Sequence, residues 1–373
     1  MNIPELNYFV LSDIHLGHKR NKTENIVYNL REYFKDYHKQ LSKVKIIFIA
    51  GDIFDTLLSN NSNEYLLATE WLTELILYSK AHNIKLRILE GTPSHDWRQA
   101  KLISSIIDKL KIDIDYKYIS TLHIEHMVDF DLNILYIPDE YKPKAIDTYK
   151  EVLDLMKDKG LSKVDIAIMH GQFKYQIPMV ELESSHDEDS YLNIVKYFIN
   201  IGHIHTPSIY SGRILAQGSF DRLAHNEEED KGGMLCTIYK DGSYKFLFLK
   251  NTRAKIFITL DYNKSSLSTE EVSNDIRNRL KGIEDDSYIR ILINDVKSIE
   301  GLRDEYPFLH FKIVNKEEKK MKIGEDILEA KVIESFTIDE SNIDNLVFEE
   351  LNKLLTSNQL EIAREELSIA KSF

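Results

Sequence analysis

The sequence predicts a layered α/β (α+β) fold, and two observations carry that prediction. Up to about residue 250, short β-rich apolar runs alternate with longer segments of helical period. Apolar residues make up 43% of the 373 residues and charged ones 29%, a globular balance in which no apolar run is long enough to span a bilayer. The expected strands are residues 6–11, 44–50, 85–89, 134–137, 164–169 and 197–201, and the expected helices 23–41, 64–81, 99–110 and 144–158. Strand-like runs 213–216, 234–239 and 244–249 follow, with Asp241-Gly242 as a hairpin turn between the last two.

Beyond residues 251–254 the pattern restarts as strand 255–260, helix 269–280, strand 288–293, a helix near 299–304 and strand 309–314. The expected division is therefore a core domain at 1–252, a small α/β domain at 253–340 and terminal helices in 341–373. Those helices, 344–355 and 359–370, are amphipathic, and the second is opened by an Asn358-x-x-Glu361 cap.

A net charge of −13 argues against a protein that wraps DNA non-specifically, since backbone affinity comes from Lys and Arg releasing counterions. It leaves nucleases open, because metal ions in a carboxylate-lined site reverse the local charge. Short basic stretches, His18-Lys19-Arg20 and Arg98 to Lys101, can track a phosphate backbone. The single cysteine, Cys236, rules out an intrachain disulfide or thiolate cluster. The N-terminal residues lack the features of a secretory signal, so a reducing cytoplasm is expected and a membrane is not.

Four strand ends carry the chemistry. In Ser12-Asp13-Ile14-His15-Leu16-Gly17, alternation along an extended backbone puts Asp13 and His15 on one side, where they can ligate one ion or two adjacent ions. In Gly51-Asp52-Ile53-Phe54-Asp55, Gly51 lets the chain turn and Asp52 can bridge two metals. His170-Gly171 and Gly202-His203-Ile204-His205 end two later strands, and the paired imidazoles share a face. Strand ends of an open layered sheet lie along one crest. Core packing gives no reason for an Asp/His set in this order.

The order D-x-H, GD, a GNHD-like element, H-G and G-H-x-H, running from Asp13 to His205, resembles the calcineurin-like metallophosphoesterases. That resemblance implies a β-sandwich core flanked by helices, with two divalent ions held by Asp13, His15, Asp52, His170, His203 and His205. Mn²⁺ is the expected metal, with Mg²⁺ as the alternative. His95, in Gly91-Thr92-Pro93-Ser94-His95-Asp96, would protonate the leaving group, and Asp96 would orient it. Here the chain departs from the family's Gly-Asn-His-Asp. Two extra residues separate Gly91 from His95, and Ser94 stands in the asparagine's place, so that Ser94, Thr92 or a water would complete the metal site.

Downstream, Gln217-Gly218-Ser219-Phe220-Asp221-Arg222 and Lys231-Gly232 resemble the G-S-x-x-R and K-G segment of SbcD-type nuclease subunits and their phage recombination counterparts. The resemblance implies a DNA exo- or endonuclease subunit, with Ser219 and Arg222 joining Arg20 and Arg98 in contacting DNA. It also implies terminal helices that bind an SbcC-type SMC-like ATPase, with a homodimer as a further expectation. Two other readings stand beside it: a phosphodiesterase or phosphatase acting on a nucleotide or protein, and a weakened subunit that binds DNA ends or the ATPase. The segment 181–190, with His186 among acidic residues, reads as an exposed loop.

Overall fold

Strands buried on both faces must be apolar at successive positions, and this chain's are. A computed structural model describes residues 4–139, 141–177 and 183–315; the expected terminal helices lie outside them. In chain order the strands begin with β1 (Pro4–Leu11), β2 (Ile46–Ala50), β3 (Lys85–Leu89) and β4 (Tyr116–Ile119). Next come β5 (His123–Met127), β6 (Leu132–Ile137), β7 (Ile166–Gly171), β8 (Ile199–His203), β9 (Ser208–Tyr210) and β10 (Ile214–Ala216). The last five are β11 (Gly232–Tyr239), β12 (Tyr244–Lys250), β13 (Phe257–Asp261), β14 (Tyr288–Ile293) and β15 (His310–Asn315).

They form two mixed six-stranded sheets, β12-β11-β1-β2-β3-β4 and β5-β6-β7-β8-β10-β9, and a three-stranded sheet, β13-β14-β15. This is the expected layered α/β architecture. Alternation along each strand builds three apolar layers. Tyr8 and Val10 of β1, Ile46 and Phe48 of β2, and Ile166 and Ile168 of β7 meet in a core shared by the two large sheets. Phe9, Leu11, Ile47 and Ile49 face the other way, onto helices Thr23–Asp36, Asn63–Ala81 and Leu102–Leu110. Ala167 and Met169 face helices Ala145–Asp158 and Glu188–Ile194.

The expected helix 23–41 breaks at Tyr37 into Thr23–Asp36 and His38–Leu41, and the segment expected at 99–110 opens with a 3₁₀ turn at Gln99–Lys101. A buried ion pair fastens the two large sheets at one margin. Arg87 of β3 donates two 2.9 Å hydrogen bonds to Glu125 of β5, which also accepts from Lys117 at 2.6 Å and from the Tyr136 hydroxyl at 2.9 Å.

The chain divides into two compact units. Among the described residues, one comprises those up to Leu260 with Arg279–Arg290 and Leu302–Lys312; the other comprises Asp261–Asn278, Ile291–Gly301 and those from Ile313 on. All the site residues discussed below belong to the first. Among the described residues, no helix is long and apolar enough to cross a membrane.

Candidate metal centre

Parallel neighbours end at the same edge. The pairings β1–β2–β3 and β6–β7–β8 are all parallel, and in the second set His170 lies beside Gly202 and Gly171 beside His203. The residues after these strands therefore converge on one crest. The turns after β1 and β2 are zipped together by Asp13 N–H to Gly51 O (3.1 Å), Ile14 N–H to Asp52 O (2.7 Å) and His15 N–H to Asp52 O (3.1 Å).

Four of the crest residues carry conformational strain. Asp13, His15, Asp52 and His203 have φ of 51°, 56°, 51° and 100°. Non-glycine residues in sparsely populated backbone regions cost about 1–3 kcal/mol each and persist where surrounding structure over-determines them, as it commonly does at functional sites. Two glycines make the crowding feasible. A Cβ on Gly51 would lie 2.1 Å from His170 Nδ1, and one on Gly91 would lie 2.2 Å from both Asp52 N and Asp52 Oδ1.

The side chains meet in three groups, each able to hold a metal ion: Asp13, His15 and His205; His15, Asp52 and His95; and Asp52, His170 and His203. Asp52 and His15 are each shared by two groups. His15 Nε2 lies 3.0 Å from His205 Nε2 and 3.7 Å from Asp52 Oδ2, and His170 Nε2 lies 3.3 Å from Asp52 Oδ1. Asp13 receives the His203 backbone N–H on both oxygens, at 2.9 and 3.1 Å.

Groups behind the imidazoles set their orientation. His170 Nδ1 bonds Ala50 O at 2.6 Å, His205 Nδ1 bonds Glu227 at 2.9 Å, and His15 Nδ1 faces Asp55 at 3.2 Å. In each case Nε2 is the nitrogen turned to the cluster, and for His170 and His205 this is the arrangement in which a metal-ligating histidine donates its other ring N–H to a carbonyl or carboxylate. An all-N/O donor set of carboxylates and imidazoles suits Mn²⁺, Zn²⁺ or Fe²⁺. The residues fit a resident divalent metal.

Protonation reflects the crowding. Burial alone would raise the Asp52 carboxyl, but His170, His95 and His15 outweigh it and hold it below the usual carboxylate range. Burial likewise opposes the charge on His170 and His205. Even so, Asp52 raises His170 and Glu227 raises His205. His203 is lowered by burial and by the neighbouring His170. Glu227 is brought down to about 2: burial works against this, while His205 and Lys231 outweigh it.

The third motif and the downstream segment call for corrections. Ser94 is exposed on the short helix Pro93–Asp96. It is the Thr92 hydroxyl that enters the cluster, 3.1 Å from Asp139 Oδ2, 3.3 Å from both Asp52 Oδ2 and His203 Nδ1, and 3.4 Å from His170 Nε2. Asp96 does not orient His95. It is fully buried and accepts the backbone N–H groups of Gly91, Phe54 and Asp52 at 2.8, 3.0 and 3.1 Å, tying two turns together. His95, half-buried, is held instead by Asp52 Oδ2, 2.8 Å from its Nδ1, and this bond raises its pKa.

Ser219 is fully buried and donates to Asp221 O at 2.8 Å, and the Arg222 guanidinium bonds the backbone carbonyls of Glu229 and Ala254, both at 3.1 Å. Both residues brace the fold rather than face a ligand. Arg20 and Arg98 are exposed. The 181–190 expectation also fails at His186, which is buried, and helix Glu188–Ile194 begins just after it.

The sequence assigned no role to Asp55, Asp139 or Glu227, and offered Thr92 only beside Ser94 and a water as the group completing the metal site. Asp139 was reachable by the same strand-end rule, since it follows β6, and its Oδ2 lies 3.3 Å from His203 Nδ1. Glu227 carries no periodic signal.

No protein-family model matches the chain, and no curated protein matches it. Among solved structures, one is similar at a TM-score of 0.38 with 10% identity, covering 66% of this chain and 100% of its own. TT1561 of Thermus thermophilus is similar at a TM-score of 0.35 with 9% identity, covering 65% of this chain and 99% of its own. Similarity this low says nothing about activity. What the fold and site define is an α/β protein whose strand-end crest gathers buried Asp and His groups able to bind metal ions.

Proposed function

We propose that the chain is a two-metal phosphodiesterase that cuts nucleic acid, acting in the cytoplasm as the nuclease subunit of an SbcCD-like recombination and repair complex. The observation that carries the catalytic part is the sharing of Asp52 between two ligand groups, which lets one carboxylate serve two ions. Divalent ions bound there supply Lewis-acid charge to an in-line displacement at phosphorus. The chain's own residues do the rest. Asp52, His170 and His203, with the Thr92 hydroxyl beside them, would form one ligand set, and Asp13, His15 and His205 the other, which Asp52 Oδ2 approaches through His15 at 3.7 Å. His95, anchored through Nδ1 and half-exposed at the rim, has Nε2 available to protonate the departing oxygen. Arg20 and Arg98 supply exposed positive charge for the phosphate backbone.

The motif order from Asp13 to His205 supports the phosphoesterase assignment, and the amphipathic pattern in 344–373 supports an ATPase partner. The test is Mn²⁺-dependent cleavage of linear DNA and of bis(p-nitrophenyl) phosphate by wild type and Asp52→Ala. Wild type should cut both and the variant neither. Hydrolysis of the small diester without DNA cleavage would move the substrate to a nucleotide, and DNA binding with no cleavage of either would make the chain a binding subunit. Deleting 344–373 should abolish capture of a co-expressed SbcC-type ATPase while sparing hydrolysis of the small diester.

A further inference from the structure

Beside the metal centre lies a cavity of about 370 Å³ whose walls include Asp139 and His203 at the cluster and Tyr141, Lys142, Gln172 and His186 away from it. Resting on the phosphodiesterase reading, we propose that this cavity takes one unpaired nucleoside, the one bonded to the phosphate being cut, and that His186 reads the edge of its base.

Three observations meet here. First, His186 is 7% exposed and lines the cavity. Its Nδ1 is enclosed by protein, whereas Nε2, 3.6 Å from where a Cβ on the wall residue Gly171 would stand, makes no hydrogen bond among the described residues and is the nitrogen open to a ligand. The ring cannot swing out to find water. It packs against Phe173 and Tyr191 at centroid distances of 5.8 and 5.1 Å, and its backbone N–H is fixed to Gln172 O at 2.8 Å. A neutral imidazole offers one donor and one acceptor nitrogen, and a base edge presents the same kinds of group.

Second, another part of the wall holds an aromatic ring already fixed in position. The Tyr141 hydroxyl donates to Glu151 at 2.8 Å, and Lys142 Nζ, 3.2 Å from Glu151, covers one face of the Tyr141 ring at 5.2 Å from its centroid, so that a base would stack on the opposite face. Stacking on such a ring accepts any base, because every base has a π-face.

Third, Asp139 and His203 belong at once to the cluster and to the cavity wall, and Asp139 Oδ2 lies 3.3 Å from His203 Nδ1. A phosphate on the cluster therefore directs one of its substituents into the cavity. At this volume the cavity sits near the lower end of the roughly 300–1,000 Å³ range of ligand pockets. That holds one nucleoside and excludes a paired, stacked duplex end. The substrate is thus a phosphodiester next to an unpaired nucleotide: a frayed end, a single strand or a short oligonucleotide.

Isothermal titration of the full-length, Mn²⁺-loaded protein with thymidine 5′-monophosphate and with base-free deoxyribose 5-phosphate tests this. Wild type should bind the nucleotide at least tenfold more tightly, and that ratio should fall about tenfold in His186→Ala and in Tyr141→Ala. Should His186→Ala fail to fold, Tyr141→Ala, a change in the partly exposed wall, decides alone. Equal binding of the two probes by wild type, or an unchanged ratio in the folded variants, overturns the proposal. Hydrolysis of bis(p-nitrophenyl) phosphate by the same preparation separates the two readings. Hydrolysis with no base preference removes the subsite and leaves the phosphodiesterase. Base preference without hydrolysis removes the phosphodiesterase and leaves the subsite.

Discussion

Replacing Thr92 by Val removes one hydroxyl and keeps the side chain's shape, which isolates the oxygen that touches Asp52, Asp139, His170 and His203 at 3.1 to 3.4 Å. The backbone N–H of Thr92, which donates to Asp52 Oδ1 at 2.6 Å, is untouched, so the turn itself should hold. Losing a group that holds or orients ligands typically costs about 10- to 100-fold in metal affinity or activity. At about 1.4 kcal/mol per factor of ten, that is about 1.4–2.8 kcal/mol at the ion on the His170 side. Ser94→Ala is the control, since an exposed substitution away from such contacts stays within about 0.5 kcal/mol. Titrating Mn²⁺ into wild type and both variants, with diester hydrolysis followed in parallel, should show one of two ion affinities weakened in Thr92→Val alone. Two unaltered sites in Thr92→Val, or the loss appearing in Ser94→Ala, would refute the assignment.

Three further outcomes are expected. Metal binding must displace protons from ligand imidazoles. The carboxylates raise His170 and His205 above the ordinary 6.5, so Mn²⁺ affinity should keep rising as pH increases beyond that value; a plateau reached below pH 6.5 in calorimetric titrations would contradict it. Glu125→Ala removes the bidentate partner of buried Arg87 but leaves it Asp115 at 2.7 Å, so it should cost about 1.5–3 kcal/mol, as for a lost charged hydrogen bond, read by thermal or urea unfolding. Burial would raise the Glu125 carboxyl, but Arg87, Lys117 and Tyr136 lower it below its ordinary 4.5. Its contribution is therefore full above that value and is lost as pH falls through the lower folded one, so wild type and variant should converge in acid. Gly91→Ala places a Cβ 2.2 Å from Asp52 Oδ1, and a misplacement of about 1 Å in a reacting site can cost on the order of 100-fold, so turnover should drop by about that factor while far-UV circular dichroism is unchanged.

Much of the centre was legible because its parts sit at strand ends, and strands buried on both faces announce themselves as apolar runs. Asp13, Asp52, His170 and His203 each follow or close such a run. Loop residues were harder to place. Counting back from His95 selects Ser94, yet the turn is registered from its other end, where Gly91 packs against Asp52 and Asp96 binds the Gly91 N–H, so the next residue, Thr92, faces inward. His186 was misjudged by its acidic neighbours. Its bridge to Phe173 draws the backbone against the second sheet's helical layer, and composition carries no trace of that pairing. Ser219 and Arg222 show the limit of a short motif: the turn they occupy is held by Ser12 Oγ to Gly218 O at 3.2 Å and by Ser219 N–H to His205 O at 3.1 Å, and this bracing role recruits the same residue types as a ligand contact.

The central claim is that Asp52 joins two ions into one centre. Electron paramagnetic resonance of the Mn²⁺-loaded protein, with metal content measured on the same sample, tests it most directly. Wild type should bind two Mn²⁺ per chain and give the spectrum of a spin-coupled pair, while Asp52→Ala should lose the coupling and at least one ion. Two uncoupled ions in wild type, or an unaltered coupled spectrum in Asp52→Ala, would contradict it.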